Sequence, residues 1–445
     1  MTVLDHLQEF LRIPSISTDP ASAADCRRAA EWVQRFLLDA GLAETMLIEM
    51  DGHPPLVYSQ WLHAAGAPTL LLYGHYDVQP PDPLEAWISP PFEPAIRGQD
   101  IFARGACDDK GQTLLLLEAL RRLMQSDGRL PINVKVLIEG EEEANGVHLE
   151  AYVAASASTL KADAALICDT EMFAPGLPTL CTGLRGGVFG ELHAEGAAQD
   201  LHSGVYGGAA PNAVEAICQI IAALKGVDGV IRIPGFYDAV TRPTAEELAA
   251  WNSLPFDEDE YLRREIGAPA LTGEAGFSVL ERTWARPTLE IHGIAGGFVS
   301  KGFKTVIPAK AHAKISCRLV PAQDPVVIIE RLREAIAAAT PRGIVSRFEV
   351  FGSSPACVVD PAHPIVRAAA GALEETFRRP PVFMRSGGSI PVVGLFQRAL
   401  GIPSVLMGFG LPDDNLHAPN EKFHLPNLYQ GIEAVMAFLK RLRAM

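Results

Sequence analysis

The 445-residue chain contains no apolar run approaching the roughly 20 residues that a membrane-spanning helix needs, so no membrane partner is expected. Its first residues, MTVLDHLQEFLRIPS, alternate charge with apolar side chains instead of forming the apolar core of a secretory signal, and a cytoplasmic location is the expectation. Cysteine is scarce: seven residues spread from Cys26 to Cys357, without a C-x-x-C pair. That argues against both a disulfide framework and a thiolate zinc site, and reads the cysteines as small buried apolar residues. Clusters of Lys and Arg are missing too. With 38 Lys and Arg against 53 Asp and Glu the formal charge is -15, which disfavours nucleic acid as a partner and favours a small-molecule substrate. Repeats and low-complexity tracts are also absent. A hydrophobic share of 48% and a charged share of 20% are those of a folded chain, and the length exceeds one ordinary core.

What the sequence does contain is a succession of short apolar runs that end in polar residues. TLLLYGHYDV from Thr69, INVKVLIEGEEE from Ile132 and ADAALICDT ending at Thr170 each read as a buried strand, and the leucines between Gly111 and Met124 repeat at helical spacing. Strand, helix, strand implies an α/β unit with a doubly wound, mostly parallel sheet. After Leu184 the glycine-rich stretches GLRGGVFGELHAEG and DLHSGVYGG change the texture. A helix over 211–224, a strand from Ala311, a helix over 325–339 and a strand from Arg347 follow. This order predicts a smaller α+β domain at 185–354, inserted between catalytic segments 1–184 and 355–445. The last segment carries a helix near 363–377, a strand at SVLMGFG and a terminal helix from Leu428. Residues from Ile233 to Arg286 show no period and read as an elaboration of the insertion.

Ligands of parallel sheets bind beyond the carboxyl ends of the strands, which directs attention to four polar clusters. In His75-Tyr76-Asp77 an extended backbone puts an imidazole and a carboxylate on one side, the pairing of a metal-bound histidine with an acidic supporter. Arg104 to Gly111 is a turn opening a helix, with the adjacent acids Asp108 and Asp109. Glu139-Gly140-Glu141-Glu142-Glu143 ends an apolar strand, and Asp169 at the end of ALICDT pairs with His417 in the loop DDNLHAPNEKF. Singly, each has a plain explanation. H-x-D is frequent by chance, glutamate runs are commonly solvated surface, and Asp109 reads as a helix N-cap. Together they gather anions that repel one another and lose hydration unless cations neutralise them. A histidine and carboxylate set without cysteine suits Zn²⁺ first, with Mn²⁺ or Co²⁺ as alternatives. The donors outnumber what one tetrahedral ion can use, so two divalent ions are expected.

These residues stand in the stretches LLLYGHYDVQP, FARGACDDKGQ, EGEEEANG, DLHSGVYGG, FKTVIPAKAHAKISCRLVP, RSGGSIPV and HAPNEKF. Through them the chain resembles, over nearly its whole length, the M20 family of metallopeptidases, most closely its cytosolic non-specific dipeptidase and carnosinase branch. The resemblance implies that Asp108 bridges both ions, that His75 and Asp169 complete one site, and that Glu143 and His417 complete the other. It makes Glu142 the general base, gives Asp77 a supporting place behind the ligands, and implies a cis bond between Asp108 and Asp109. Glu141 departs from the family pattern, in which an uncharged residue is common there. Counting from Glu139-Gly140 puts base and ligand at Glu142 and Glu143, with Glu141 and Glu142 as the alternative register.

The activity so implied is hydrolysis of dipeptides or small peptides. Two ions acidify a shared water and polarise the scissile carbonyl, while the base carries the proton to the leaving amine. The inserted domain becomes a lid and dimerisation domain. Its His202 supplies an oxyanion donor to the neighbouring subunit of a homodimer. Arg318 offers the two-pronged partner that a substrate carboxylate favours, with Gly388, Ser389 and Thr305 as further substrate contacts. Arg318 also reads as a solvated strand arginine, and His202 as a turn residue. Among hydrolases the alternative is an N-acyl amino-acid deacylase or carboxypeptidase of the same family, against which DLHSGVYGG argues. From another class comes a non-catalytic binding protein on the same fold, which predicts a missing ligand or base. A binuclear phosphoesterase would want more basic residues near the ions than Lys110 and Arg385.

Overall fold

A computed structural model describes residues 1–144 and 146–445; Asn145, within EGEEEANG, lies outside the described residues. The chain divides into two compact units. The first comprises Met1–Thr182, Val359–Met384 and Pro391–Met445, and the second Gly183–Val358 with Arg385–Ile390.

The first unit is built on a large mixed sheet. Its centre is parallel, in the order Asn133–Glu139, Thr69–His75, Ala164–Ile167 and Ser404–Leu406. Antiparallel strands flank it: His53–Trp61 and Glu44–Met50 on one side, Thr179–Leu184 on the other. Six of the seven residues of Thr69–His75 are buried, as expected of a strand covered on both faces. Leu70 and Leu72 join one core with Val134, Val136 and Leu166, beneath the helices Val3–Leu11, Ala23–Asp39, Lys110–Asp127 and Leu425–Arg443. Tyr73 points the other way, its ring edge-on to Phe396 of helix Pro391–Ala399 at 5.7 Å between centroids. Helices therefore cover both faces, and each fully buried leucine contributes on the order of 1.5–3 kcal/mol to holding them there. Among the described residues no helix is long and apolar enough to cross a membrane.

Register decides what gathers at the strand ends. His75 pairs with Glu139 and Tyr73 with Ile167, so His75, the acidic run after Glu139 and Asp169 emerge at one level of the sheet. Asp109 stands at the start of helix Lys110–Asp127 but does not cap it. Its carboxylate instead accepts from His75 N at 3.1 Å and Thr113 Oγ1 at 2.8 Å, drawing the helix start to the end of the His75 strand. The Asp108–Asp109 peptide bond is cis.

The second unit is a four-stranded antiparallel sheet in the order Thr288–Gly296, Lys310–Leu319, Gly186–Glu195 and Val345–Ser354. Helices Ala213–Leu224 and Pro325–Ala339 pack their apolar stripes, Ile217, Ile220, Ile328, Leu332 and Ile336, against Val188, Leu192, Ala313 and Ile315 of the sheet. The stretch GLRGGVFGELHAEG, read above only as a change of texture, supplies a central strand. Its glycines serve close strand packing: a Cβ at Gly190 would stand 2.3 Å from the Glu349 carbonyl oxygen and 2.6 Å from Phe348 Cζ. The aperiodic segment holds short helices, Ala245–Asn252 and Val279–Trp284, whose Trp251 and Trp284 meet edge to face. The sequence places 385–390 with the last catalytic segment, whereas these residues cluster with the second unit, held by Arg385 to Glu247 at 2.6 Å and Arg318 to Ser389 at 2.8 Å.

Candidate metal centre

In the first unit His75, Asp77, Asp108, Glu142, Glu143, Asp169 and His417 come together, although 342 positions separate the first from the last (417 − 75). Two donor groups form around one carboxylate. His75, Asp108 and Asp169 present atoms that all lie within 4.8 Å of one another, and so do Asp108, Glu143 and His417. Asp108 belongs to both: Oδ1 lies 3.2 Å from His75 Nε2, and Oδ2 lies 2.9 Å from His417 Nε2. Asp169 Oδ2 stands 3.9 Å from His75 Nε2, and Glu143 Oε1 stands 3.3 Å from His417 Nε2.

The support behind these groups explains their orientation. His75 Nδ1 lies 3.1 Å from the backbone oxygen of Asp77 and 3.3 Å from its Oδ1. Donating there leaves Nε2 with its lone pair turned towards Asp108. Asp77 is fully buried and also accepts from Ser17 Oγ at 2.6 Å, Glu142 N at 3.3 Å and Glu143 N at 3.0 Å. It thereby ties the His75 strand end to the acidic loop. Gln79 Nε2 donates to the other oxygen of Glu143 at 2.7 Å. His417 reaches the site from a loop in which Asn415, His417 and Asn420 all have positive φ, a sparsely populated conformation kept only where surrounding contacts hold it.

Sequence reasoning assigned no role to Glu421, although it lies in HAPNEKF. Its buried carboxylate accepts from Arg104 Nη1 at 2.7 Å and from the backbone nitrogens of Gly105, Cys107 and Asp108 at 2.9, 3.0 and 3.1 Å. One glutamate therefore shapes the turn that presents Asp108. The signal was a buried Arg in one polar stretch and a Glu in another, charges that are tolerated inside a protein only when paired.

The donor set fits divalent cations. Among the described residues His75 Nε2 and Glu143 Oε1 are buried without a hydrogen-bond partner, close to further acceptors. A lone pair facing a carboxylate is stabilised by a cation between them. Protonation tells the same story. Burial, helped by Glu143 and Asp108 and opposed by His75, pushes Glu142 up to about 8. Burial together with Asp109 and Asp108 holds Asp169 well above the usual carboxylate range. A hydrogen bond to Asp108 and the nearby carboxylate of Glu143 raise His417 to about 10. For Asp108 burial acts upward, but the imidazoles of His417 and His75 set against its two oxygens outweigh it and hold the group below its ordinary value. Cations bound here would take the place of those protons.

The substrate-side candidates all lie in the second unit. Arg318, on strand Lys310–Leu319, donates to Ser389 Oγ at 2.8 Å, and Ser389 in turn donates to the Arg185 carbonyl. The Gly388 carbonyl accepts from Arg185 N at 3.1 Å. Burial lowers the guanidinium of Arg318 from its usual range and that of Arg185 to about 10, which makes both responsive to an anionic partner. His202 is exposed, with Nδ1 accepting from Gly204 N at 3.0 Å and Nε2 3.4 Å from Thr305 Oγ1.

Comparison with known proteins adds independent findings. The model of peptidase family M20/M25/M40 matches residues 71–441. Cys-Gly metallodipeptidase DUG1 of Candida albicans is 30% identical over 98% of this chain and 93% of its own length. Human Beta-Ala-His dipeptidase is 30% identical over 97% of this chain and 84% of its own length. The crystal structure of an M20 family metallo-carboxypeptidase, Sso-CP2 from Sulfolobus solfataricus, superposes with a TM-score of 0.89 at 32% identity, covering 100% of both chains.

Proposed function

The chain belongs to peptidase family M20/M25/M40 and is a metal-dependent peptidase, and from that premise we propose that it hydrolyses the peptide bond of dipeptides and other small peptides at a two-ion centre. The observation that carries this reading is Asp108, which turns one carboxylate oxygen towards each of two donor groups. His75 and Asp169 would hold one ion and Glu143 and His417 the other, with Asp108 shared. Divalent ions there, Zn²⁺ first and Mn²⁺ or Co²⁺ as alternatives, supply Lewis acidity to the scissile carbonyl and make water a better nucleophile.

The remaining chemistry belongs to the chain's own side chains. Glu142 accepts the proton of the attacking water as the C–O bond forms, then delivers it to the amine nitrogen as the C–N bond breaks. Its backbone nitrogen is bound to Asp77, which also holds the His75 ring, so base and ligand share one support. We assign the donor for the developing oxyanion to His202, acting on the neighbouring subunit of a cytoplasmic homodimer, with the second unit as lid and dimerisation domain. Arg318, with Ser389, Gly388 and Thr305, receives the substrate carboxylate, an arrangement that favours short peptides of fixed length.

A dipeptide panel assayed before and after chelation tests the reading. Turnover should vanish with the metal and return with Zn²⁺ or Mn²⁺; undiminished hydrolysis by the stripped protein would sink it, and stoichiometric binding without turnover would make the chain a binding protein. The likeness to Sso-CP2, described as a metallo-carboxypeptidase, favours a second reading in which longer or N-blocked substrates are cut. An N-acylated dipeptide and an N-acetyl amino acid separate them: a dipeptidase leaves both intact, a carboxypeptidase cleaves the first, and an N-acyl amino-acid deacylase cleaves the second.

A further inference from the structure

A third group of metal-ligating side chains lies in the first unit apart from the centre described above. His53 opens the strand His53–Trp61, His148 sits in the first turn of the helix Val147–Ala155, and Glu141 lies in the loop between strand Asn133–Glu139 and that helix. His53 Nδ1 is 2.8 Å from one oxygen of Glu141, and His148 Nδ1 is 2.8 Å from the other. The three donor atoms all lie within 4.8 Å of one another, the same spacing as the two groups around Asp108. The imidazoles are tilted by 31° with centroids 3.5 Å apart, closer than aromatic pairs usually approach, which run roughly 4.5–7 Å. Both rings turn the same nitrogen to the carboxylate. Two rings that turn the same nitrogen to one carboxylate at this separation bring like ends of their dipoles together, and these repel. A cation shared by both nitrogens and the carboxylate removes that conflict.

We propose that His53, Glu141 and His148 form a separate site for one borderline transition-metal ion, such as Zn²⁺, Ni²⁺ or Cu²⁺. Two imidazoles and a single carboxylate select such ions over Mg²⁺ or Ca²⁺, which prefer an all-oxygen shell. The imidazoles keep 39% of their side-chain surface exposed, so an ion reaches the site from solvent and water completes its coordination. With a single carboxylate against the several around Asp108, the site is weaker than that centre. Its consequence is mechanical: Glu141 directly precedes Glu142 and Glu143, so the ion would staple the acidic loop to a strand on one side and a helix on the other.

The site does not depend on the proposed reaction, and its test reads metal binding. Zn²⁺-loaded protein is dialysed against increasing free Zn²⁺ and the bound metal counted, for the parent and for His53→Gln and His148→Gln. The parent should take up one equivalent more than either variant. Cu²⁺ added as that last equivalent should show two imidazole nitrogens by electron paramagnetic resonance in the parent, a signal that each variant should lose. Equal uptake by parent and variants, or a Cu²⁺ spectrum unchanged by the substitutions, overturns the proposal. Because each glutamine keeps a polar side chain at a half-exposed position, circular dichroism and unaltered tight metal content verify that the variants are folded.

Discussion

Two clusters built from the same residue types stand side by side on the acidic loop, and their charge balance sets them apart. At Asp108 four carboxylates, counting Glu142, crowd around two imidazoles, and burial pushes Glu142 and Asp169 up while His417 is drawn up by its acidic partners. At Glu141 a single carboxylate is matched by two half-exposed imidazoles. One residue step along the chain moves a glutamate from a balanced surface cluster to an over-charged interior one. An excess of buried anion persists only where protons or metal ions neutralise it, whereas a lone, partly exposed carboxylate held by two imidazoles folds with or without them. Necessity of metal thus follows from charge balance, not from the mere presence of histidine and glutamate.

Substitutions can break or sharpen this contrast. Asp108→Ala removes the group shared by both halves of the over-charged cluster. Bound metal should fall sharply and dipeptide hydrolysis drop to background, beyond the roughly 10²–10⁴-fold expected for loss of a general base alone. Glu142→Gln should lower kcat by about 10²–10⁴-fold while metal content stays at the parent level, as metal analysis alongside steady-state kinetics would reveal. Asp77→Asn, which disturbs the support of His75 and of the loop, should cost about 10–100-fold in metal affinity or activity, measured by competition with a chelator. Glu141→Gln belongs to the balanced cluster and should stay within about tenfold of the parent in kcat. A loss as deep as that of Glu142→Gln would erase the distinction and move the base to the other register.

The smallest effect is on stability against pH in metal-stripped protein. Glu142 rises from 4.5 to about 8 and His417 from 6.5 to about 10 on folding, so the folded state holds more protons than the unfolded one. Their contribution is complete below the unfolded values and fades as pH climbs to the folded ones. Thermal midpoints of stripped protein should therefore fall between about pH 6 and pH 9, and added Zn²⁺ should flatten the slope by replacing those protons.

Much of the central sheet was legible because short apolar runs such as Leu70–Tyr73 and Val136–Ile138, each ending in polar residues, read as buried strands, and a strand covered on both faces carries its polar residues at its end. The helix over 325–339 was legible from its period. The N-terminal helices Val3–Leu11 and Ala23–Asp39, and the central strand Gly186–Glu195, were not assigned. Glycine in that strand signals close packing against Phe348 and Glu349, which local pattern cannot distinguish from a loop. Asp109 misled in the same way: Asp at a helix start suggests a cap, yet its partners are His75 N and Thr113, the first 34 positions back along the chain (109 − 75).

Residue types and their order were enough to establish an acidic, cysteine-poor α/β chain whose polar motifs follow buried strands and belong to a metal-dependent peptidase family. Only the tertiary structure decided which glutamate faces which imidazole, that Glu421 shapes the turn of Asp108, and that Glu141 turns away to His53 and His148. The reason is physical. Apolar periodicity is written locally, one residue after another, whereas the balance of buried charge depends on side chains brought together from distant positions, and that sum exists only once the strands are in register.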